Sequence, residues 1–291
     1  QDVCGLCDGD NSTCSGCTDS EALNYDETAL IEDGSCYYTL VQTLDLYEGA
    51  NLVSFYVLPD DSAIESLASD IQNSIFGVIG EGIAASYVND SWIGSLLSFD
   101  ESDGYWFIME NQDILDVEGY PTDLDLEYNL HAGANLISFP SQSSYAIEDV
   151  IPEVLQGTIY GILGEGEGAV YDNGEWEGSL ENLSGGSGYW FKTYNDVVLN
   201  FELENSFSRN YSNNEKQVLL GYEYLQSSQQ SFYFIDEIEG AEEGDWIVAF
   251  NENVVVGANQ WNDEVIDIAV MGYDGFSYSQ GYCSQYDTPS F

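Results

Sequence analysis

The stretch LYEGANLVSF at residues 46–55 recurs as LHAGANLISF at residues 130–139. The same shift of 84 positions relates residues 76–96 to residues 160–180, and the GYWF segment at 104–107 to the one at 188–191. A duplication without gaps predicts two copies of one supersecondary unit. The repeated residues are Gly, Asn, Trp and alternating apolar positions, with no repeated nucleophile, histidine or metal-ligand set. The repeat therefore indicates a structural or binding role rather than a catalytic one.

Each copy reads as a small α+β module. Strand-like apolar runs flank the turn EGAN, whose Gly and Asn are typical turn residues. In SAIESLASDI (62–71) apolar residues recur at helical spacing, which predicts a short helix with Asp61 or Ser62 as its N-cap. Pro152 marks a break in the equivalent helix of the second copy.

Further strands are expected after the helix, ending in GYWF. Successive strand residues point to opposite faces of a sheet. We therefore expect Tyr105 and Phe107 to face the core and Trp106 to face the other side.

The composition divides the chain into four units: a Cys-rich segment at 1–40, module 1 at 41–121, module 2 at 122–204 and a C-terminal β-domain at 205–291. In the last unit, runs such as GDWIVAFN and IDIAVMG alternate with Gly, Asn and Asp turns. The sequence predicts a mainly β protein with short helices, in which α+β modules follow one another like beads on a string. A disulfide-rich N-terminal segment and a β-sandwich-like C-terminal domain complete it.

Charge is the extreme property of the chain, because 53 acidic residues face only Lys192, Arg209 and Lys216, for a formal net charge of −50. Bound cations or salt relieve the self-repulsion that such a charge creates. We do not expect nucleic acid or anionic membrane surfaces as partners, since both require basic groups that this chain largely lacks. The chain also lacks an apolar run of about 18 residues, so membrane insertion is not expected.

The six cysteines are Cys4, Cys7, Cys14, Cys17, Cys36 and Cys283. Five of them within 36 residues are typical of an oxidised extracellular mini-domain. The alternative is a zinc site built from CGLC and CSGC. We expect Cys17 to pair with Cys36, and two of the first three cysteines to pair with each other. Cys283 is then the partner of the remaining thiol, within the chain or on a neighbouring one.

Two acidic runs in the Cys-rich segment, DGDNSTC and NYDETALIEDGSC, offer oxygen ligands around tight turns. Oxygen ligands of this kind suit calcium, although neither run has the spacing of an EF-hand. The candidate calcium ligands are Asp8, Asp10, Asn11, Asn24, Asp26 and Asp33. Solvated turn carboxylates are the alternative.

Several motifs resemble modular secreted proteins of marine bacteria and archaea. GCTDSEALNYDETALIEDGSC resembles their GCTDPxAxNYxxxAxxDDGSC modules, and the duplicated segment resembles their GWNLISF…GYW repeats. Residues 244–261 resemble their GDWIGAFNGDVCVG β-domain, without its internal Cys. The resemblance implies an extracellular, cell-surface context. Ala50 and Ala134 stand where the repeats of that family have Trp. The space that the Trp side chain would occupy is either filled by a partner or left small.

Catalysis finds little support in the sequence, and we predict that the chain is not an enzyme. The single histidine, His131, lies in a turn and is expected at the surface. Glu81 and Glu165 recur within GEG. The flanking glycines favour a tight loop, with a pair of glycosidase acids as the alternative.

Trp92 and Trp176 lie in polar surroundings and are candidates for stacking on a sugar ring, with a core or interface position as the alternative. Four sequons mark candidate glycosylation sites at Asn11, Asn89, Asn182 and Asn210.

These observations predict an extracellular structural protein that is a subunit of a filament, surface layer or adhesin stalk. It would assemble end to end through its terminal segments, namely the Cys-rich segment and the strand edge after Tyr282, with calcium between carboxylates. The alternatives are a carbohydrate-binding adhesion module and an accessory piece of a larger secreted hydrolase.

Overall fold

The computed structural model describes residues 14–22, 24–203, 219–262 and 265–291. These residues form a mainly β protein with two helices of one turn each, which confirms the predicted fold class. In the Cys-rich segment, two short parallel strands pair, β1 (Ser15–Gly16) and β2 (Ile31–Glu32).

Module 1 is built on a five-stranded antiparallel sheet in the order β4-β9-β6-β7-β8, beside a three-stranded sheet in the order β3-β10-β5. Its elements are β3 (Leu40–Leu46), β4 (Gly49–Ser54), β5 (Val57–Leu58), α1 (Ile64–Leu67), β6 (Ile75–Ile79), β7 (Ala84–Val88), β8 (Ser91–Gly94), β9 (Gly104–Met109) and β10 (Asp113–Pro121).

Module 2 repeats the five-stranded sheet in the order β12-β18-β14-β15-β16, beside two two-stranded sheets. Its elements are β11 (Glu127–Leu130), β12 (Gly133–Ile137), β13 (Tyr145–Ala146), α2 (Ile147–Val150), β14 (Ile159–Leu163), β15 (Gly168–Asp172), β16 (Glu175–Gly178), β17 (Asn182–Leu183), β18 (Tyr189–Thr193) and β19 (Val197–Asn200).

The predicted faces of the GYWF strands are confirmed. Tyr105 and Phe107 are buried in the core of module 1, whereas Trp106 joins a separate apolar cluster on the other face of the sheet. The turn prediction is confirmed as well, because Gly49 has a φ of +99°. The Asn51 side chain closes this turn, accepting from Tyr47 N at 2.8 Å and donating to Tyr47 O at 2.8 Å.

The helix of module 1 is shorter than the sequence pattern indicates. It begins after Ala63 rather than after Asp61 or Ser62, and a 3₁₀ turn at Ser69–Ile71 continues it. Asp61 still stabilises its first turn, because its carboxylate accepts from Ser66 Oγ at 2.7 Å and from Ala63 N at 3.3 Å. In module 2 the helix ends at Val150, two residues before Pro152, as expected.

The C-terminal β-domain packs two strand pairs around a small core that includes Val256 and Ile268. Its strands are β20 (Gln230–Ile235), β21 (Trp246–Asn251), β22 (Val254–Gln260) and β23 (Ile266–Met271). β20 pairs with β23, and β21 pairs with β22.

The segment after Tyr282 returns to its own domain instead of forming a free strand edge. Ser290 forms an antiparallel bridge with Phe250, with N···O distances of 2.8 and 3.0 Å. The Phe291 ring lies 5.3 Å from that of Tyr233. A strand edge that is already paired offers fewer free N–H and C=O groups to another chain.

Candidate functional site

The two modules meet edge to edge, and we call this contact the junction. Val53 bridges Ser187, and Asp103 bridges Ile137. A shift of 84 positions converts the first pair into the second with the roles of the modules exchanged. Such reciprocal contacts are the signature of a two-fold relation. The modules are therefore held together by direct contacts rather than strung as separate beads.

Glu81 and Glu165 lock the junction from both sides. Glu165 Oε2 accepts from the backbone N–H of Leu52 in module 1 at 2.8 Å. Glu81 Oε2 accepts from the N–H of Leu136 in module 2 at 2.7 Å. Each GEG loop thus satisfies an outward N–H on the first strand of the other module's sheet. Hydrogen bonds to a carboxylate are shorter and stronger than neutral ones, so the pair contributes both stability and orientation.

Backbone hydrogen bonds extend the same symmetry. Ser54 N donates to Gly186 O at 2.9 Å, and Ser138 N donates to Ser102 O at 3.0 Å. Gly104 and Gly188, two residues after Ser102 and Gly186, lie where the two modules come close together. A Cβ atom at Gly104 would lie 2.9 Å from Ile137 O, and one at Gly188 would lie 2.8 Å from Val53 O.

His131 adds a further contact on the Glu81 side of the junction. Its Nε2 lies 2.7 Å from Glu81 Oε1, and its Nδ1 lies 2.9 Å from Ala132 O. Both neighbours are acceptors, so the geometry favours the doubly protonated ring. The Ala132 carbonyl and the Glu81 carboxylate raise the pKa of His131. The side chain is 58% exposed, as expected for a surface turn.

We expect the His131–Glu81 contact to stabilise the fold only while the imidazole is charged. Because the folded-state pKa is raised, the contribution is fully present below the ordinary value of about 6.5 and is lost as the pH rises through the folded-state pKa. His131→Tyr, which installs the residue found at the equivalent Tyr47, should be less stable than the wild type at pH 5.5 and equally stable at pH 9. Urea unfolding at both pH values measures this, and a difference that does not change with pH would contradict it.

The C-terminal β-domain docks on the outer face of the module 1 sheet. Ala50 and Ile108 belong to an apolar cluster on that face, which Leu136 of module 2 shares and against which Phe276 and Tyr278 pack. The rings of Phe76 and Phe276 are 5.6 Å apart. Ala50 N donates to Gln226 O at 3.1 Å. The slot left by the small Ala50 is thus occupied by the chain's own C-terminal β-domain.

The same domain also contacts module 2, at the β15–β16 edge. Ser179 N donates to Asp267 Oδ1 at 2.5 Å. Asp267 is fully buried, and its second oxygen, Oδ2, has no hydrogen-bond donor among the described residues. Burial raises the pKa of Asp267, while the Ser179 N–H opposes the shift. A Cβ atom at Gly168 would lie 3.1 Å from the Phe232 ring, which shows how closely the surfaces meet.

Trp92 and Trp176 lie on β8 and β16, opposite Tyr87 and Tyr171 in the strand pairing. Both indoles pack against the core of their own module, and both ring nitrogens are buried without a partner among the described residues. These contacts fit the core alternative for the two residues. Stacking on a sugar stays a prediction.

The candidate calcium ligands within the described residues serve local turns. The Asp26 carboxylate accepts from Thr28 N at 2.8 Å, and that of Asp33 accepts from Ser35 N at 3.0 Å. Asn24 Oδ1 accepts from Tyr37 N at 3.0 Å. Side-chain and backbone hydrogen bonds lower the pKa values of both aspartates, so they are charged at neutral pH. Asp8, Asp10 and Asn11 lie outside the described residues, and calcium stays a prediction.

The predicted bond between Cys17 and Cys36 is confirmed. Together with Glu32, these sulfurs form the only cluster of His, Cys, Asp and Glu in the described ranges with metal-site spacing. A disulfide offers no thiolate, so the zinc alternative fails here. Cys14 is also disulfide-bonded, whereas Cys283 is a half-buried free thiol. A bond from Cys283 to a neighbouring chain stays a prediction, and Cys4 and Cys7 lie outside the described residues.

Two candidate glycosylation sites are exposed. Asn89 occupies the turn between β7 and β8 with a φ of +51°, and Asn182 begins β17. Asn11 and Asn210 lie outside the described residues.

Neither of the two helices in the described ranges has the length and apolar character to cross a membrane.

The sequence did not identify Asp267, although a carboxylate inside the apolar run IDIAVMG was a usable signal. The recurrence of Glu81 and Glu165 was visible in the sequence, but their hydrogen-bond partners were not.

No family model, curated protein or solved structure matches this chain.

Proposed function

We propose that this chain is a structural subunit of an extracellular filament, surface layer or adhesin stalk. The observation that carries the proposal is the junction. Glu81 and Glu165 each hold the opposite module, and the C-terminal β-domain contacts both modules at Ala50 and Ser179. A subunit that transmits force needs its parts fixed relative to one another, and contacts of this kind supply that rigidity.

An extracellular position is supported by the Cys17–Cys36 disulfide, because such bonds persist in oxidising compartments. The net charge of −50 supports a role for divalent cations in assembly. Copies of so acidic a chain repel one another, and calcium between carboxylates of adjacent copies relieves that repulsion. Assembly joins the Cys-rich segment of one copy to the C-terminal β-domain of the next.

We expect unreduced protein in millimolar calcium to form long, regular polymers that shorten after chelation. Light scattering and electron microscopy measure their mass and shape. Sodium chloride at matched ionic strength is the control that separates bridging by calcium from simple screening. Monodisperse monomers in all three conditions would overturn the proposal and favour the glycan-binding alternative.

Cys283→Ser separates a covalent contact from a non-covalent one. Polymers of this variant that survive non-reducing denaturation as fully as those of the wild type would remove Cys283 from the assembly contact. Loss of that resistance would place the thiol in it.

A further inference from the structure

Module 2 carries an uncovered counterpart of the face that the C-terminal β-domain covers on module 1. Ala134, Tyr160 and Lys192 are the equivalents of Ala50, Phe76 and Ile108 under the 84-residue repeat. We call these three residues, with the adjoining Tyr194, the open face. Ala134 and Lys192 pair across β12 and β18, and they lie on the same side of the sheet as Leu136 and Trp190. The open face is thus continuous with the apolar cluster that Leu136 shares with module 1.

Exposure distinguishes the two faces. Ala50 is 3% exposed and Ile108 is fully buried, whereas Ala134 is exposed and Lys192 is half-buried. Leu136 N–H points outward to Glu81, so the N–H of Ala134, two residues earlier, faces the same strand edge. Ala50 N–H has Gln226 O as its acceptor, while no acceptor for Ala134 N–H is found within the described residues.

The open face has the composition of a protein-binding surface. Tyr160 and Tyr194 stack with their ring centroids 4.1 Å apart, and Tyr194 is 65% exposed. Tyrosine is enriched at the residues that dominate binding energy in protein interfaces. Lys192 is the only Lys or Arg in the described part of the chain, and no described carboxylate forms an ion pair with it.

We infer that the open face binds a second copy of this chain, an inference that rests on the proposed structural function. Charge complementarity selects this occupant, because a chain of net charge −50 presents carboxylates on its surfaces to the half-buried Lys192. Continuity with an existing interface supports it, since the equivalent face of module 1 already binds a β-domain of this chain through Phe276 and a backbone carbonyl.

The contact joins two different surfaces. The open face contains a lysine and no carboxylate, so two open faces in contact would bring like charges together. A contact between unlike surfaces propagates, and it forms an open chain when the rotation between copies does not close a ring. Such a contact suits a filament and excludes a two-fold dimer through this face.

The test compares Lys192→Glu and Tyr194→Ala with matched controls in millimolar calcium at fixed ionic strength. Tyr47→Ala is the control for the tyrosine, because Tyr47 is 66% exposed, about as much as Tyr194. Lys216→Glu is the control for the charge, since it changes the net charge by the same amount. We expect each open-face variant to weaken self-association by about tenfold or more, and the controls to have little effect. Sedimentation velocity across a concentration series measures this.

The outcomes separate the two proposals. If the wild type and all variants associate equally, the open face is not the contact, whereas the structural function stands. If the wild type does not associate at any concentration tested, both proposals fall. Unfolding curves of each variant show whether it is folded, and Tyr194→Ala gives the answer if Lys192→Glu destabilises the module.

Discussion

Replacing Gly104 and Gly188 with alanine should lower the free energy of unfolding by about 1–3 kcal/mol for each added methyl group, the usual cost of overpacking a tight contact. At Gly104 the new Cβ would lie 2.9 Å from both Ile137 O and Leu136 Cδ1. At Gly188 it would lie 2.8 Å from Val53 O. Both positions lie at the junction, so the backbones of the two modules would have to move apart.

Urea unfolding of the two single variants and the double variant measures the effect. Gly161→Ala is the matched control, because the nearest atoms to its Cβ are 3.7 Å away. The control also accounts for the lower chain entropy of an unfolded state with alanine in place of glycine. If both sites strain one junction, their costs should not add, since the first substitution has already loosened the contact. A double variant as stable as Gly161→Ala would show that the modules do not depend on this approach.

The repeat predicted much of the fold of each module but not the way in which the modules meet. Alternation in GYWF was enough to place Tyr105 and Phe107 in the core, because side-chain direction along a strand is a local property. The pairing of Val53 with Ser187 joins a strand of module 1 to the Gly- and Ser-rich turn before β18, which is distant in sequence. Nothing in the local pattern of either segment indicates that they face each other.

The partners of the candidate site residues could not be predicted for the same reason, because they are distant in sequence. GEG correctly read as a tight loop, but the acceptor role of Glu165 depends on a strand of the other module, through Leu52 N–H. The departure at Ala50 predicted a slot that is either filled by a partner or left small, and Phe276 packs against the apolar cluster to which Ala50 belongs. Composition gave no means of deciding that this partner is the chain's own C-terminal β-domain.

Asp267→Asn is expected to raise the free energy of unfolding at pH 7 by about 1–3 kcal/mol, the cost of a buried polar group without full hydrogen bonding. The asparagine side-chain oxygen can still accept from Ser179 N–H, which holds the C-terminal β-domain on module 2. The substitution removes the negative charge, which burial disfavours. It also replaces Oδ2, which has no hydrogen-bond donor in the described part of the chain, with an NH2 group. Asp267→Ala is the contrasting variant, because it removes the charge and the acceptor together and should gain less.

The pH dependence supplies an independent check. The folded-state pKa of Asp267 is raised, so the folded state binds a proton at a pH where the unfolded state does not. Stability at this site therefore increases as the pH falls through the folded-state pKa toward the ordinary value of about 3.9 for an aspartate, and the gain is complete below it. The advantage of Asp267→Asn over the wild type should shrink over that range. An advantage that stays constant from pH 7 to pH 4 would mean that the carboxylate is already neutral at pH 7 or that its charge does not oppose the docking of the C-terminal β-domain.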